Sequence, residues 1–280
     1  MRTNPAFLRG VLLLSPSTIV IGAFVAIPFL LIFVMSFSSP SADGSAVQYG
    51  LANYRQLLSP LFLRQSALSV ALAVLVSVLC LIITVPFAYF LSGFGRRLRT
   101  ILLVFILAQS SLSEVLIAFS WQVLLARTTG ISNLLVMMGL LDAPVSLVPS
   151  FWAMTIALVY MAVPFAVLIL FPAFSRLDRS LVEASRTMGA SGLQAFRDVV
   201  LPVCRPTLIA CGISIYILTL GSVIIPQLLG NPGDWTIAVH ITDQALFQFN
   251  PPLAAALAII LLGISLVLLA GSWLGLKRTR

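Results

Sequence analysis

Six long apolar stretches alternate with short polar ones along the chain. Val11–Ala42, Ser66–Gly95, Ala143–Ser175, Pro206–Gly233 and Gln244–Leu276 contain no charged residue, and Thr100–Ala126 contains one, Glu114. A helix needs about 20 apolar residues to cross the hydrocarbon core of a bilayer. Each stretch holds one crossing once its polar ends are trimmed. Lipid offers no partner to free backbone N–H and C=O groups, so the crossings are predicted to be helices. Alternation at period two is absent, which excludes the pattern of a membrane barrel. The expected fold is an all-α membrane protein with six transmembrane helices, residues 1–280 forming one transmembrane domain. The first apolar run is too long for the roughly 7–15-residue core of a secretory signal, so it reads as a retained span. Ser38–Ser45 reads as a polar loop.

Composition agrees with that reading. Of the 280 residues, 60% are hydrophobic and 9% charged. A soluble domain carries about 25% charged residues, so an ordinary globular enzyme is excluded. The net charge of +8 has a topological meaning. With six spans, one side of the membrane carries Arg2, Arg9, Arg96, Arg97, Arg99, Arg176, Arg179, Arg186, Arg197, Arg205, Lys277, Arg278 and Arg280. The other carries Arg55, Arg64 and Arg127. Basic residues stay on the cytoplasmic side, so both termini are predicted to be cytoplasmic. The same placement argues for lipid as a partner and against nucleic acid. Cys80, Cys204 and Cys211 lie in or beside apolar segments without metal-ligand spacing, and read as packing residues. Pro28, Pro86 and Pro164 interrupt spans, where they kink helices.

The loop at 176–205, between the fourth and fifth spans, holds the most specific pattern. Ser180 precedes Glu183 by three and Ser191 precedes Gln194 by three, the spacing of two capping boxes. Gly189 falls between them, where a left-handed helix stop is cheap. Two short helices with a sharp turn at Gly189 are predicted. Leu181, Ala184 and Met188 share one face of the first, which suits docking into a groove of a cytoplasmic partner.

At these residues the chain resembles the permeases of ABC importers. Their signature is E-A-A, three residues, G, nine residues, then I-x-L-P. Here it stands as Glu183-Ala184-Ser185, then Gly189, then Val199-Val200-Leu201-Pro202. Ser185 replaces the second alanine and Val199 the isoleucine. Gly50-Leu51-x-Asn53-Tyr54 looks like the family's stretch before the second span, and Trp121-x-x-Leu124-Leu125, Gly130-Ile131-x-Asn133 and Pro226-x-x-Leu229-Gly230 are similar to stretches of permeases for polyamines and related small solutes. The resemblance implies the type I, MetI-like importer architecture in a bacterial inner membrane. It implies ATPase coupling through Glu183, Ala184, Ser185, Met188, Gly189, Leu201 and Pro202. It also implies separate ATPase subunits, a second permease subunit (a paralogue or an identical copy) and an extracytoplasmic solute-binding protein. The chain has no G-x-x-x-x-G-K-[ST] phosphate loop. ATP and magnesium are therefore expected on the partner ATPase, with no cofactor and no catalysis in this chain.

Glu114 lies mid-span, where a charge costs about 2.5–3.5 kcal/mol on insertion scales. Ser110, Ser111 and Trp121 fall on its face if the helix is continuous. A carboxylate beside an indole suits an amine cation. A helix-paired carboxylate with a packing role is the alternative. Tyr160, Tyr216 and Gln227 are further candidate pathway residues within spans. Trp235, Val239, Thr242 and Leu246 suggest a short interfacial helix in Asp234–Asn250, with His240 and Asp243 on its wetter side. A rival reading, an ion- or proton-coupled secondary transporter using Glu114, leaves the patterned loop at Glu183–Pro202 without a purpose. A membrane-embedded enzyme lacks any His, Asp or Glu cluster in the spans.

Overall fold

A computed structural model describes residues 5–40, 47–127, 130–139 and 142–277. Arg2, Asp43, Arg278 and Arg280, and residues 41–46 of the polar loop, lie outside the described residues. Five described helices are long and apolar enough to cross a membrane, and six if one bent pair is a single span. The chain divides into two compact units, Met1–Ser59 with Ile241–Leu262, and Pro60–His240 with Gly263–Arg280.

In the first unit, α1 (Pro5–Ser36) runs through Pro16 and Pro28 without a break. Its side chains from Ile19 to Val34 are exposed almost throughout, as suits a helix facing lipid. Sequence reading expects only a loop after it. Instead β1 (Ser38–Pro40) pairs antiparallel with β2 (Val47–Tyr49), Ser39 opposite Gln48. The helix α2 (Ala52–Leu57) follows. Asn53 on α2 donates to the carbonyls of Ser36 at 2.9 Å and Ser38 at 2.8 Å. It thereby satisfies the last carbonyl of α1, which has no partner within its helix. The Tyr54 hydroxyl pairs with that of Ser36 at 2.8 Å, and the Phe37 ring lies against Phe33 and Tyr54. The Asn53-Tyr54 pair therefore anchors the C-terminal end of the first span.

The second unit is built on α3 (Pro60–Gly93), α7 (Phe151–Ser175) and α10 (Leu201–Leu220), which pack on one another. Met154, Leu158, Ala162, Ala166, Leu170 and Phe174 form a buried row at four-residue spacing on α7. Leu72, Val76, Cys80, Thr84 and Ala88 do the same on α3. Lipid supplies no hydrophobic drive between helices, so close packing over small residues holds them. Cys80, Cys204 and Cys211 are buried unpaired thiols, as the packing reading expects. Pro164 removes the N–H that would bond the Tyr160 carbonyl four residues back. Gln109 donates its side-chain amide to that carbonyl at 3.5 Å.

The third span departs from expectation. It is two helices, α4 (Arg96–Ser110) and α5 (Glu114–Leu125), bent by 94°. Ser111-Leu-Ser113 breaks it: Ser113 is extended, with ψ 141°, and takes the N-cap position of α5. Serine competes for backbone partners and favours caps over helix interiors. After α5, Gly130 has φ +75°, and a Cβ there would lie 2.2 Å from the Leu124 carbonyl oxygen. Only glycine fits this turn into α6 (Ile131–Met137).

The remaining elements are α8 (Arg179–Thr187), α9 (Gly192–Ala195), α11 (Ile224–Leu229), α12 (Ile237–Thr242) and α13 (Pro251–Lys277). The stretch from Trp235 does not form the surface helix that sequence reading expects. Ile237, Ala238 and Val239 are buried, and the Ile237 N–H donates to Ser69 of α3 at 2.8 Å. His240 sits half-buried between the rings of Phe62 and Trp235 rather than on a wet face, and Leu246 is exposed.

Candidate coupling loop and pathway residues

The loop after α7 is ordered by local chemistry. Asp178 caps α8, its carboxylate accepting the Ser180 N–H at 3.0 Å. Bonds from the Ser180 hydroxyl and then its backbone N–H hold the Asp178 carboxyl below its ordinary value. The expected capping box from Ser180 to Glu183 is therefore displaced by two residues. Asp is as good a cap as Ser, and starting there adds the turn that carries Arg179. The Arg179 guanidinium donates to the Ser92 carbonyl at 3.0 Å, which ties the loop to the end of α3. Glu183 is exposed and spends nothing on capping. It lines a cavity of about 240 Å³ with Tyr89, Phe90, Arg179 and Arg186.

The turn at Gly189 forms as predicted, with φ +93°. The Gly189 N–H bonds the Arg186 carbonyl at 3.0 Å and the Ala190 N–H bonds that of Ser185 at 3.1 Å. This is the paired closure of a Schellman stop. The second capping box also forms. Ser191 accepts the Gln194 N–H at 3.2 Å, and Gln194 accepts the Ser191 N–H at 2.7 Å. Beyond it, Phe196–Val200 widens into a π-turn leading into α10. Pro202 has no N–H to continue the ordinary ladder, and the Leu201 N–H reaches the Phe196 carbonyl, five residues back.

Val182 faces inward against the core. Leu181, Ala184, Met188 and Leu193 face outward, with Met188 88% and Leu193 78% exposed. Ser185 is half-buried and bonds the Val182 carbonyl. The predicted face thus exists, and Leu193 is a further exposed apolar residue beyond the turn.

The candidate pathway residues separate into groups. The bend removes the shared face expected for Ser110, Ser111, Glu114 and Trp121. Both serine hydroxyls turn back to the Leu107 carbonyl. Trp121 and Tyr160 do come together, their rings 5.7 Å apart and edge to face. They line a cavity of about 210 Å³ with Leu112, Leu116, Ser120 and Leu124. Tyr216 is buried at a separate apolar groove between α3, α10 and α13. Gln227 lies half-buried on α11. Glu114 is half-buried at the start of α5, where it accepts the Ser222 hydroxyl at 2.5 Å and the Ile225 N–H at 3.2 Å.

Residues 84–275 match the family described as the binding-protein-dependent transport system inner membrane component. The chain belongs to this family. It is 30% identical over 239 residues to the spermidine/putrescine transport system permease protein PotB of Haemophilus influenzae, covering 84% of this chain and 83% of that protein. To PotB of Escherichia coli K12 it is 29% identical over 252 residues, covering 89% and 91%. A bacterial ABC transporter involved in alginate import matches in fold, with TM-score 0.74, 20% identity, and coverage of 97% of this chain and 96% of that one. The MetNI methionine transporter matches with TM-score 0.60, 17% identity, and coverage of 82% and 99%.

The permease therefore has the type I ABC importer architecture and is a multi-pass inner-membrane subunit. Three features of its sites escaped sequence reading. The cap at Asp178 was hidden because Ser180 offers a rival capping box. Ser222 and Ile225 stand 108 and 111 residues from Glu114, beyond any local pattern. The one available signal was Gly221-Ser222, a small polar pair within an apolar run.

Proposed function

We propose that this permease forms part of the solute pathway of an ATP-driven importer for polyamine-like cations or related organic solutes. Two ATPase subunits, holding ATP and magnesium, drive it from the cytoplasm, and this chain catalyses nothing itself. A second permease, paralogous or identical, completes the pathway, and an extracytoplasmic binding protein delivers the solute. Both termini are cytoplasmic. The transmembrane domain acts as one functional subunit, and the loop at 176–205 couples it to the ATPase.

The observation that carries this reading is the outward face of Leu181, Ala184 and Met188 beside a Schellman stop at Gly189. An exposed apolar patch on an ordered loop marks an interaction site. Asp178 does the capping, which leaves Glu183 free for a partner. Leu201 and Pro202 set the π-turn that joins the loop to α10, a path from docking to the spans. The PotB likeness supports the solute class, and the paired rings of Trp121 and Tyr160 suit a cationic chain. Closure of the ATPases would draw two such loops together and alternate access to the pathway.

The test is uptake in proteoliposomes containing the permease, its partner permease and ATPase, with binding protein outside. Uptake of labelled putrescine or spermidine that needs all components and ATP is expected. Uptake driven by an ion gradient without ATPase would overturn the reading.

A further inference from the structure

We propose that Glu114 is a positioning residue that locks two broken helices together, and that it does not contact the solute. The first break bends a span, and the second ends one. The first is Ser111–Ser113, where the third span bends by 94°. The second is Gly221–Val223, between α10 and α11. Glu114 is the first residue after the first break, and its two partners lie at and just after the second. The Ser222 hydroxyl donates to Oε1 at 2.5 Å, and the Ile225 N–H donates to the same oxygen at 3.2 Å.

The donors explain why a carboxylate stands here. The Ile225 N–H belongs to the first turn of α11, where no carbonyl of its own helix is in reach. Ile225 is fully buried and Ser222 is 3% exposed, so water is a poor substitute. Pro226, one residue on, has no N–H to satisfy. Glu114 also occupies the first turn of α5, where negative charge is favoured. A buried donor left unmade is costly, and hydrogen bonds to charged groups are the stronger class.

The geometry has a functional consequence. α5 carries Trp121, and α11 packs on α5. The far end of α11 is tied to α7 through the Ser150 N–H and the Leu229 carbonyl, 2.8 Å apart. α7 in turn carries Tyr160. Glu114 thus ties α5 to α11, which is tied in turn to α7, and α5 and α7 carry the two aromatic residues. It sets the shape of their cavity from outside, since it does not line it.

Hydrogen exchange of the segment 222–229, with the permease in nanodiscs, reads the lock directly and does not depend on what the permease transports. Glu114→Ala should speed exchange there at least about tenfold, since both bonds to Oε1 are lost. Glu114→Gln keeps an acceptor oxygen and the side-chain shape but not the charge, and should fall between the alanine variant and the parent, nearer the parent. Where uptake is measurable, Glu114→Ala should lower maximal uptake with KM unchanged, and Glu114→Gln should restore it. Unchanged exchange in Glu114→Ala would overturn the proposal. So would a raised KM in Glu114→Gln, because a solute-binding charge behaves that way. If the alanine variant fails to accumulate, Ser222→Ala carries the test. Faster exchange of the Ile225 amide upholds the lock, and unchanged exchange removes it. The uptake arm rests on the importer reading; the exchange arm survives its failure.

Discussion

The Ala190 N–H closes α8 by bonding the Ser185 carbonyl at 3.1 Å, and only the left-handed backbone of Gly189 between them allows it. A Cβ on Gly189 would meet no atom within 4 Å, so a side chain there is not excluded by space. The cost is conformational, about 1–2 kcal/mol for an L-residue in this region. A β-branched residue costs more, and asparagine less. Gly189→Val should therefore loosen the turn, weaken ATPase co-purification and abolish most uptake, while the permease still inserts. Gly189→Asn should retain much of both. Equal behaviour of the two variants would refute the conformational argument.

Met188 gives the complementary case. Its side chain is 88% exposed, so it contributes little to the fold. Met188→Asp should leave the thermal stability of the isolated permease within about 0.5 kcal/mol of the parent. If the exposed apolar face docks the ATPase as proposed, a charge within it should nonetheless sharply reduce ATPase association, measured by pull-down at fixed expression. Loss of stability in the absence of ATPase would mean that the face is internal rather than a docking surface.

Where local chemistry decides, residues announced their own structure. Gly189 flanked by two capping signatures predicts a stop, and Ser191 with Gln194 forms the expected box. The apolar runs place the spans for the same reason, since lipid forces helix on any uncharged stretch of that length. Failures arose where two local signals compete or where the partner is remote. Asp178 and Ser180 both offer a cap, and spacing alone favoured the wrong one. Ser111 and Ser113 looked like tolerated polar residues within a span, yet they break it. Once α4 and α5 bend apart, Trp121 pairs with Tyr160 and Glu114 with Ser222, contacts that no helical wheel contains.

The cap at Asp178 predicts a pH dependence confined to acid. Its carboxyl is held below the ordinary value by Ser180. A depressed folded pKa adds stability above the unfolded value of about 3.9, and that stability is lost as pH falls through the folded value. Amide protection in α8 should be flat from pH 7 to about pH 5 and fall at more acid pH. Asp178→Asn keeps the capping oxygen without the titrating proton, so its profile should lack the acid fall. The comparison is hydrogen exchange of 179–188, corrected for intrinsic rate, in both proteins.

Asn53 tests whether the C-terminal end of the first span depends on a side-chain clamp. It is 8% exposed and directs two donor bonds at the carbonyls of Ser36 and Ser38. Asn53→Ala leaves both acceptors without these partners and should destabilise this region by about 1–3 kcal/mol. Asn53→Asp is the sharper variant. It keeps the size of asparagine but replaces the donor amide by an oxygen, which then faces two carbonyl oxygens. Repulsion adds to the lost bonds, so aspartate should do more damage than alanine despite its closer shape. A space-filling role predicts the reverse order, because aspartate preserves volume. The readout is exchange of the Gly50 amide, which bonds the Phe37 carbonyl at 2.8 Å across the hairpin. Its rate should rise in the order parent, Asn53→Ala, Asn53→Asp. If aspartate is milder than alanine, the clamp acts by packing and not by donating hydrogen bonds.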